Sequence, residues 1–346
     1  MTRHTAIHPV RWQPPARTAR AGRDHGARPF ELTVIRLPGT ASEDVLVEAD
    51  GSVLTAVDDG RILRLSPDGN RISTVARTGG RGLGLELHPD GGLVVCDVER
   101  GLLRIWPHEL DPDRARIEVL VAEIDGRPMR FCNNAAVAAD ATVYFTDSSR
   151  HFSIEEYKGD LLEHAGTGRL LRYDPGGSNP GSDPGGSVDI VLDGLHFPNG
   201  VALAPDESFL VFAETGTYSL DRLWLTGPRQ GVREAFVPSL PGFPDNLALG
   251  SDGLFWVALP AVRNRLLDLL APRHPLLRRL AWALPESLQP REGRTVFTQA
   301  YDLDGRLVHD LQQPNSELYM CSGVRERDGV LWLGSLTCSA IGRVQL

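Results

Sequence analysis

The chain has 346 residues, 41% hydrophobic and 23% charged, which is enough apolar material for a large buried core and the profile of a soluble globular protein. A net charge of −9, with Lys158 as the single lysine, argues against a nucleic-acid partner and suits small neutral or cationic ones. The four cysteines (Cys96, Cys132, Cys321, Cys338) form no CxxC pair and no zinc spacing, so free thiols in a reducing, cytoplasmic setting are expected.

Residues 1–29 carry Arg3, Arg11, Arg17, Arg20, Arg23 and Arg28 among Pro, His and Ala, with no apolar stretch. They read as a disordered tail, neither a secretion signal nor a membrane span. From residue 30 to 346 a unit recurs. A strand-like run, an Asp-containing turn and a second run appear in Val45–Val57, Ala135–Thr146, Val201–Ala213 and Leu247–Ala258. A third run often follows, as in Gly168-Arg-Leu-Leu-Arg-Tyr. The turn aspartates fall at 50, 90, 140, 206, 252 and 328, giving spacings of 40, 50, 66, 46 and 76 residues. Meanders of this length are propeller blades, and six units predict an all-β, six-bladed β-propeller. Phe30–Leu37 is expected to pair with Ile341–Leu346 and close the ring without an exposed edge.

The long gaps locate insertions. The 66-residue gap holds a Gly/Pro/Ser surface loop from Asp174 to Ser187 and a short acidic helix within Ser153–His164. The 76-residue gap holds two apolar helical pieces, Leu266–Leu270 and Leu276–Leu284, separated by Pro272 and Pro275. This insertion, 261–293, is expected between blades 5 and 6 as a lid over the channel mouth. A second reading of 266–284 is an amphipathic contact with a membrane surface, since Arg273, Arg278 and Arg279 lie nearby.

Glu43, Asn133, Asn199 and Asp245 each stand seven residues before a turn aspartate, while Leu83 and Cys321 occupy the same place in the other two units. In a propeller one repeat position forms a ring around the channel, so four oxygen-bearing side chains meet there. Hard oxygen donors suit calcium; Asn246 offers a further carbonyl, and magnesium is compatible with fewer protein ligands and more waters. No histidine stands at the ring position, which disfavours zinc. Taken alone, Phe197-Pro-Asn-Gly and Gly242-Phe-Pro-Asp-Asn are ordinary turns; their phase with Glu43 and Asn133 favours the metal. No GxSxG elbow, HExxH motif or phosphate loop is present. His151, after Phe145-Thr-Asp-Ser-Ser-Arg, is the best histidine candidate for an acid or base.

Phe131-Cys-Asn, Tyr144-Phe-Thr-Asp-Ser-Ser, Gly194-Leu-His-Phe-Pro-Asn-Gly-Val and Leu240-Pro-Gly-Phe-Pro-Asp-Asn resemble the strictosidine synthase-like proteins. These belong to the wider gluconolactonase, senescence-marker and paraoxonase superfamily. The resemblance runs from about Ser42 to Leu346 and implies a six-bladed propeller with calcium in its channel. It implies that Glu43, Asn133, Asn199 and Asp245 are metal ligands, with Asn246 a further one. The alkaloid-forming members use a last-blade glutamate where this chain places Ser322, so amine–aldehyde condensation is disfavoured. Sugar-lactone hydrolases carry an arginine where Phe131 stands, so Phe131 and Asn133 are expected to face an apolar substrate. The function these readings favour is calcium-dependent hydrolysis of lactones or aryl esters, with Asp245 assisting the attacking water. The alternatives are a non-catalytic, calcium-stabilised binding propeller and a condensation enzyme.

Overall fold

The computed structural model describes residues 5–17, 30–176, 186–284, 293–314 and 316–346. Most of the Gly/Pro/Ser loop and the last part of the predicted insertion lie outside these residues. Six antiparallel four-stranded sheets account for nearly all strands. Blade 1 runs from Leu46–Val47 to Ile72–Arg77, blade 2 from Gly82–Leu87 to Arg116–Val121, and blade 3 from Cys132–Val137 to Ser187–Leu195. Blade 4 runs from Pro198–Leu203 to Arg233–Val237 and blade 5 from Leu247–Leu249 to Leu307–Pro314. Blade 6 joins Val324–Arg327, Val330–Leu333 and Ala340–Gln345 to an outer strand, Leu32–Arg36, from the other end of the chain. That closing pair is antiparallel, with Leu32 opposite Val344 and Ile35 opposite Ile341, as the sequence predicts. Innermost strands touch their neighbours around the full circle, blade 6 meeting blade 1. The fold is the six-bladed propeller.

The apolar core is divided in the same way. Leu46, Leu54 and Ile62 of blade 1 pack on Leu85, Val95 and Leu103 of blade 2, and each later pair of neighbours encloses a comparable cluster. Val45, Leu63 and Leu65 meet Trp332 and Ile341 where the circle closes. Each of these side chains contributes about 1.5–3 kcal/mol by leaving water. Every blade therefore depends on both neighbours. All four cysteines are buried and free.

Three short helices depart from the propeller. Helix α1 (Tyr157–Glu163) lies in blade 3 between the second strand, Val143–Asp147, and the third, Gly168–Asp174. Helices α2 (Arg265–Leu270) and α3 (Pro275–Trp282) lie in blade 5 between Phe255–Ala258 and Thr295–Tyr301. The insertion is thus inside blade 5, correcting the expectation that it separates blades 5 and 6. The cause is that Thr295–Tyr301 pairs back onto Phe255–Ala258, so the long gap spans two strands of the same sheet. Both insertions use the same connection of their blades and leave the same face. Asn264 caps α2, its Oδ1 accepting from the N–H groups of Leu266 and Leu267.

Within the expected tail 1–29, residues 5–17 also depart from expectation, and the others lie outside the described residues. Thr5–Arg17 forms an extended strap across the helices. Ile7 is buried against Phe152 and Trp282. Trp282 Nε1 donates to the Thr5 carbonyl at 2.8 Å, and buried Arg278 donates to the carbonyls of Val10 (2.5 Å) and Leu162 (2.8 Å). Trp12 stacks on His164 at 4.0 Å, and His164 on His196 at 3.9 Å. Arg17 pairs with Asp268 of α2 at 2.9 Å. A few large side chains dispersed among prolines and arginines hold this segment, a pattern without periodicity.

Candidate metal and substrate site

Asn133, Asn199 and Leu83 share one backbone device. In blade 3 Cys132 pairs with Asp147 but Ala135 with Phe145, so the inner strand carries one extra residue. The same slip occurs between Pro198 and Val201 in blade 4 and between Gly82 and Leu85 in blade 2. Each is a β-bulge, which redirects a side chain out of the regular alternation. Glu43 and Asp245 stand just before their inner strands, Leu46–Val47 and Leu247–Leu249. Because Asp147 lies opposite Cys132, the connection that carries α1 leaves blade 3 at the end where Asn133 stands. In blade 5, the Asp245 N–H donates to the Ala258 carbonyl at 2.9 Å, so the α2–α3 insertion rises beside Asp245.

Glu43, Asn133, Asn199 and Asp245 all line one cavity of about 620 Å³. All four side chains are buried. One oxygen of each, Glu43 Oε2, Asn133 Oδ1, Asn199 Oδ1 and Asp245 Oδ1, has no hydrogen-bond partner. Burying one unpaired polar atom is costly, and four facing one cavity indicate a place for a ligand. The Asn133 amide is held from behind: its Nδ2 donates to Ser148 Oγ at 2.8 Å, which leaves Oδ1 free, and Ser148 Oγ donates to the Pro198 carbonyl at 2.6 Å. Burial raises the Glu43 carboxyl to about 7, against the opposing pull of Arg81. Burial and the nearby Glu43 charge push Asp245 well above the ordinary carboxyl range. Arg81 offsets only part of the burial effect at Glu43, and no positive group among the described residues offsets it at Asp245. The donors are two carboxylates and two amides, and among the described residues no three His, Cys, Asp or Glu side chains cluster as a metal site. Two carboxylates balance a divalent cation, and all-oxygen donors fit calcium. Leu83 and Cys321, at the remaining ring positions, are buried in apolar clusters.

Asn246 is placed differently from expectation. Its Oδ1 accepts from Asn134 Nδ2 at 3.1 Å and its Nδ2 donates to the Glu43 carbonyl at 3.3 Å, so its oxygen is already used. Asn246, Asn134 and Asp44 form a second buried tier, one residue after the ring in three blades. Asp44 Oδ2 accepts from the Leu85 N–H at 3.0 Å, and Asn134 Oδ1 from the Val201 N–H at 3.2 Å. Gly84 and Gly200 stand at this level where a Cβ would come within 2.6 Å of the Asn133 carbonyl and 2.1 Å of the Leu247 nitrogen. Only glycine admits such close strands around the axis. Only Asn246 of this tier was predicted from sequence, although Asp44 and Asn134 also directly follow ring residues and the same repeat phase would have marked them.

His151 is not brought to the ring. Its side chain is 58% exposed and its Nδ1 is 3.7 Å from Glu163 Oε1, outside the cavity. The turn that carries it leads outward into the blade 3 insertion. Phe131 does line the cavity and meets Phe197 edge to face at 5.2 Å. Ser322 is buried, its Oγ donating to the Glu43 carbonyl at 2.8 Å. Arg81, also in the cavity wall, has Nη2 3.9 Å from Glu43 Oε2. The ring pattern did not flag it, because its own blade carries Leu83 at the ring position.

Helices α2 and α3 contribute Leu266, Leu267, Leu270 and Ala281 to the outer cavity. Leu266, Leu269, Leu276, Leu277, Leu280 and Leu284 are largely exposed. Among the described residues no helix is long and apolar enough to cross a membrane.

Comparison with known proteins follows the same architecture. Residues 133–228 match the strictosidine synthase family, and residues 31–65 match the N-terminal family of strictosidine synthase-like proteins. The adipocyte plasma membrane-associated protein of Rattus norvegicus is 32% identical over 325 residues, covering 86% of this chain and 81% of that protein. Strictosidine synthase-like protein 10 of Arabidopsis thaliana is 34% identical over 274 residues, covering 76% of this chain and 69% of that protein. Among solved structures, a gluconolactonase from Xanthomonas campestris superposes with a TM-score of 0.63 at 19% identity, covering 99% of this chain and 97% of that one. The calcium-binding protein regucalcin from Agrobacterium tumefaciens superposes with a TM-score of 0.60 at 14% identity, covering 91% and 95%. At such identities the superpositions establish the fold alone, whereas the relatives establish descent. The chain belongs to the strictosidine synthase-like family, in the branch of the adipocyte plasma membrane-associated proteins.

Proposed function

We propose that this protein is a metal-dependent hydrolase of lactones or aryl esters, with calcium held by Glu43, Asn133, Asn199 and Asp245. The observation that carries this reading is the set of four unpartnered buried oxygens facing one apolar-walled cavity. The names of two structural neighbours, a gluconolactonase and a calcium-binding protein, support it. A calcium ion bound there supplies the positive charge that polarises an ester carbonyl and acidifies water.

The chain's own residues do the rest. Phe131 and Phe197 offer an apolar surface for the acyl or aryl portion, and α2 restricts solvent at the mouth. Ser148 fixes Asn133 with its oxygen inward. The Asp245 oxygen not turned to the metal accepts a proton from the water that attacks the carbonyl, then returns it to the leaving oxygen. Burial raises the basicity of this carboxylate, and a bound cation would lower it. Ser322, occupied with a backbone carbonyl, offers no carboxylate for amine–aldehyde condensation.

Hydrolysis of phenyl acetate and a set of aliphatic lactones, measured in calcium and in excess chelator, tests the proposal. Turnover is expected in calcium and lost with chelator. Asp245→Asn is expected to lower kcat by about 10²–10⁴-fold, the usual worth of a positioned base. A protein that binds calcium and gains thermal stability from it, yet turns over none of these compounds, would instead be a binding propeller.

A further inference from the structure

The residue two places before each ring position forms a tier nearer the cavity mouth. In blades 3, 4 and 5 that residue is Phe131, Phe197 and Phe243, and all three line the cavity. In blade 2 it is Arg81, which lines the same cavity. This tier is therefore aromatic on three blades and cationic on one, while Lys158, Arg263 and Arg265 also line the cavity.

Arg81 is poorly satisfied. Its side chain is 24% exposed, and its buried Nε has no hydrogen-bond partner among the described residues. Its nearest carboxylate oxygen, Glu43 Oε2, lies 3.9 Å away, too far for a hydrogen bond. Arg263, also in the cavity wall, is committed to the Pro15 carbonyl, Ser239 and Asp268. A cation on the ring would occupy the Glu43 carboxylate and leave the Arg81 charge without compensation. A guanidinium in that position offers a planar fork of donors to a second anion.

We infer that Arg81 is a specificity-determining residue: it binds the carboxylate of an apolar monocarboxylic acid whose body lies against Phe131, Phe197 and Phe243. This deepens the hydrolase proposal and rests on it only in making that acid the product of ester or lactone opening. The binding itself is a property of the cavity.

The test is calorimetric titration of the full chain with 4-phenylbutyrate and with its neutral amide, each in calcium and in chelator. In calcium the acid is expected to bind roughly tenfold or more tightly than the amide, as for a charge-assisted hydrogen bond. The preference is expected to weaken in chelator, where Glu43 again competes for Arg81. It should vanish in Arg81→Met and survive in part in Arg81→Lys, while both variants bind calcium at least as well as the native chain. Equal binding of acid and amide, no binding of either, or a preference that persists in Arg81→Met overturns the inference. Phenyl acetate turnover separates the two ideas. Selective acid binding without turnover leaves Arg81 its role and removes the hydrolase, whereas turnover without acid preference does the reverse.

Discussion

Ser148 acts on the ring from outside it. Its hydroxyl donates to the Pro198 carbonyl of blade 4 and accepts from the Asn133 amide of blade 3, so one oxygen sets the relation of two donors. Ser148→Ala leaves a buried carbonyl and a buried amide N–H unpaired, at a cost of ~1–3 kcal/mol. It also frees Asn133 to rotate. Calcium affinity is expected to fall by about 10–100-fold, the range typical of lost support behind a ligand. Calcium titration of the variant, with its melting temperature as a folding control, checks this. Unchanged affinity would mean that Asn133 is not a ligand. At this scale Glu43, Asn133, Asn199 and Asp245 were legible because a repeat turns sequence phase into spatial convergence. Ser148 and Arg81 were not, since each acts through a partner that is distant in sequence.

At the scale of elements, the strap Thr5–Arg17 and the three helices form one cap, joined by the stack of Trp12, His164 and His196. Burial, with like charge from His196 and Arg278, lowers His164 from 6.5 to about 2, and burial also lowers His196. The unfolded imidazoles take up protons near pH 6.5 while the folded ones remain neutral. The stack therefore contributes fully above that pH, and its contribution declines as pH falls below it. The melting temperature should drop between pH 7.5 and pH 5, and drop less in His164→Phe, which keeps a ring but loses the proton site. An identical pH slope in the variant would remove His164 from this account. Blade strands were readable from their Asp-turn punctuation and period-two alternation. The cap was not: Ile7 and Trp12 are isolated apolar residues in a proline-rich segment, and their partners come from three other elements. The place of the blade 5 insertion was misread for a related reason, because spacing between turns does not reveal which strand follows a loop.

On the scale of the whole molecule, one face is unlike the rest of a chain with a net charge of −9. There Leu269, Leu276, Leu277 and Leu280 meet solvent beside exposed Arg265 and Arg273, and Leu266 belongs both to this surface and to the cavity wall. Apolar side chains ringed by arginine suit an anionic lipid surface. Adsorption to phosphatidylserine vesicles is expected in cosedimentation, weakening with salt, absent on neutral vesicles, and lost in a Leu276→Glu, Leu280→Glu variant. Failure of the native chain to bind either vesicle would leave the leucines as a rim that serves only the cavity.

Closure of the circle by Leu32–Arg36 on Ala340–Gln345 also sets an order of events during synthesis. The first strand waits unpaired until the last one has been made. The four oxygens, drawn from blades 1, 3, 4 and 5, have no shared address on the nascent chain. A cation that needs all of them has affinity for the finished circle and for no part of it. Its binding energy then accrues late, slowing the opening of a completed molecule without hastening the assembly of an incomplete one.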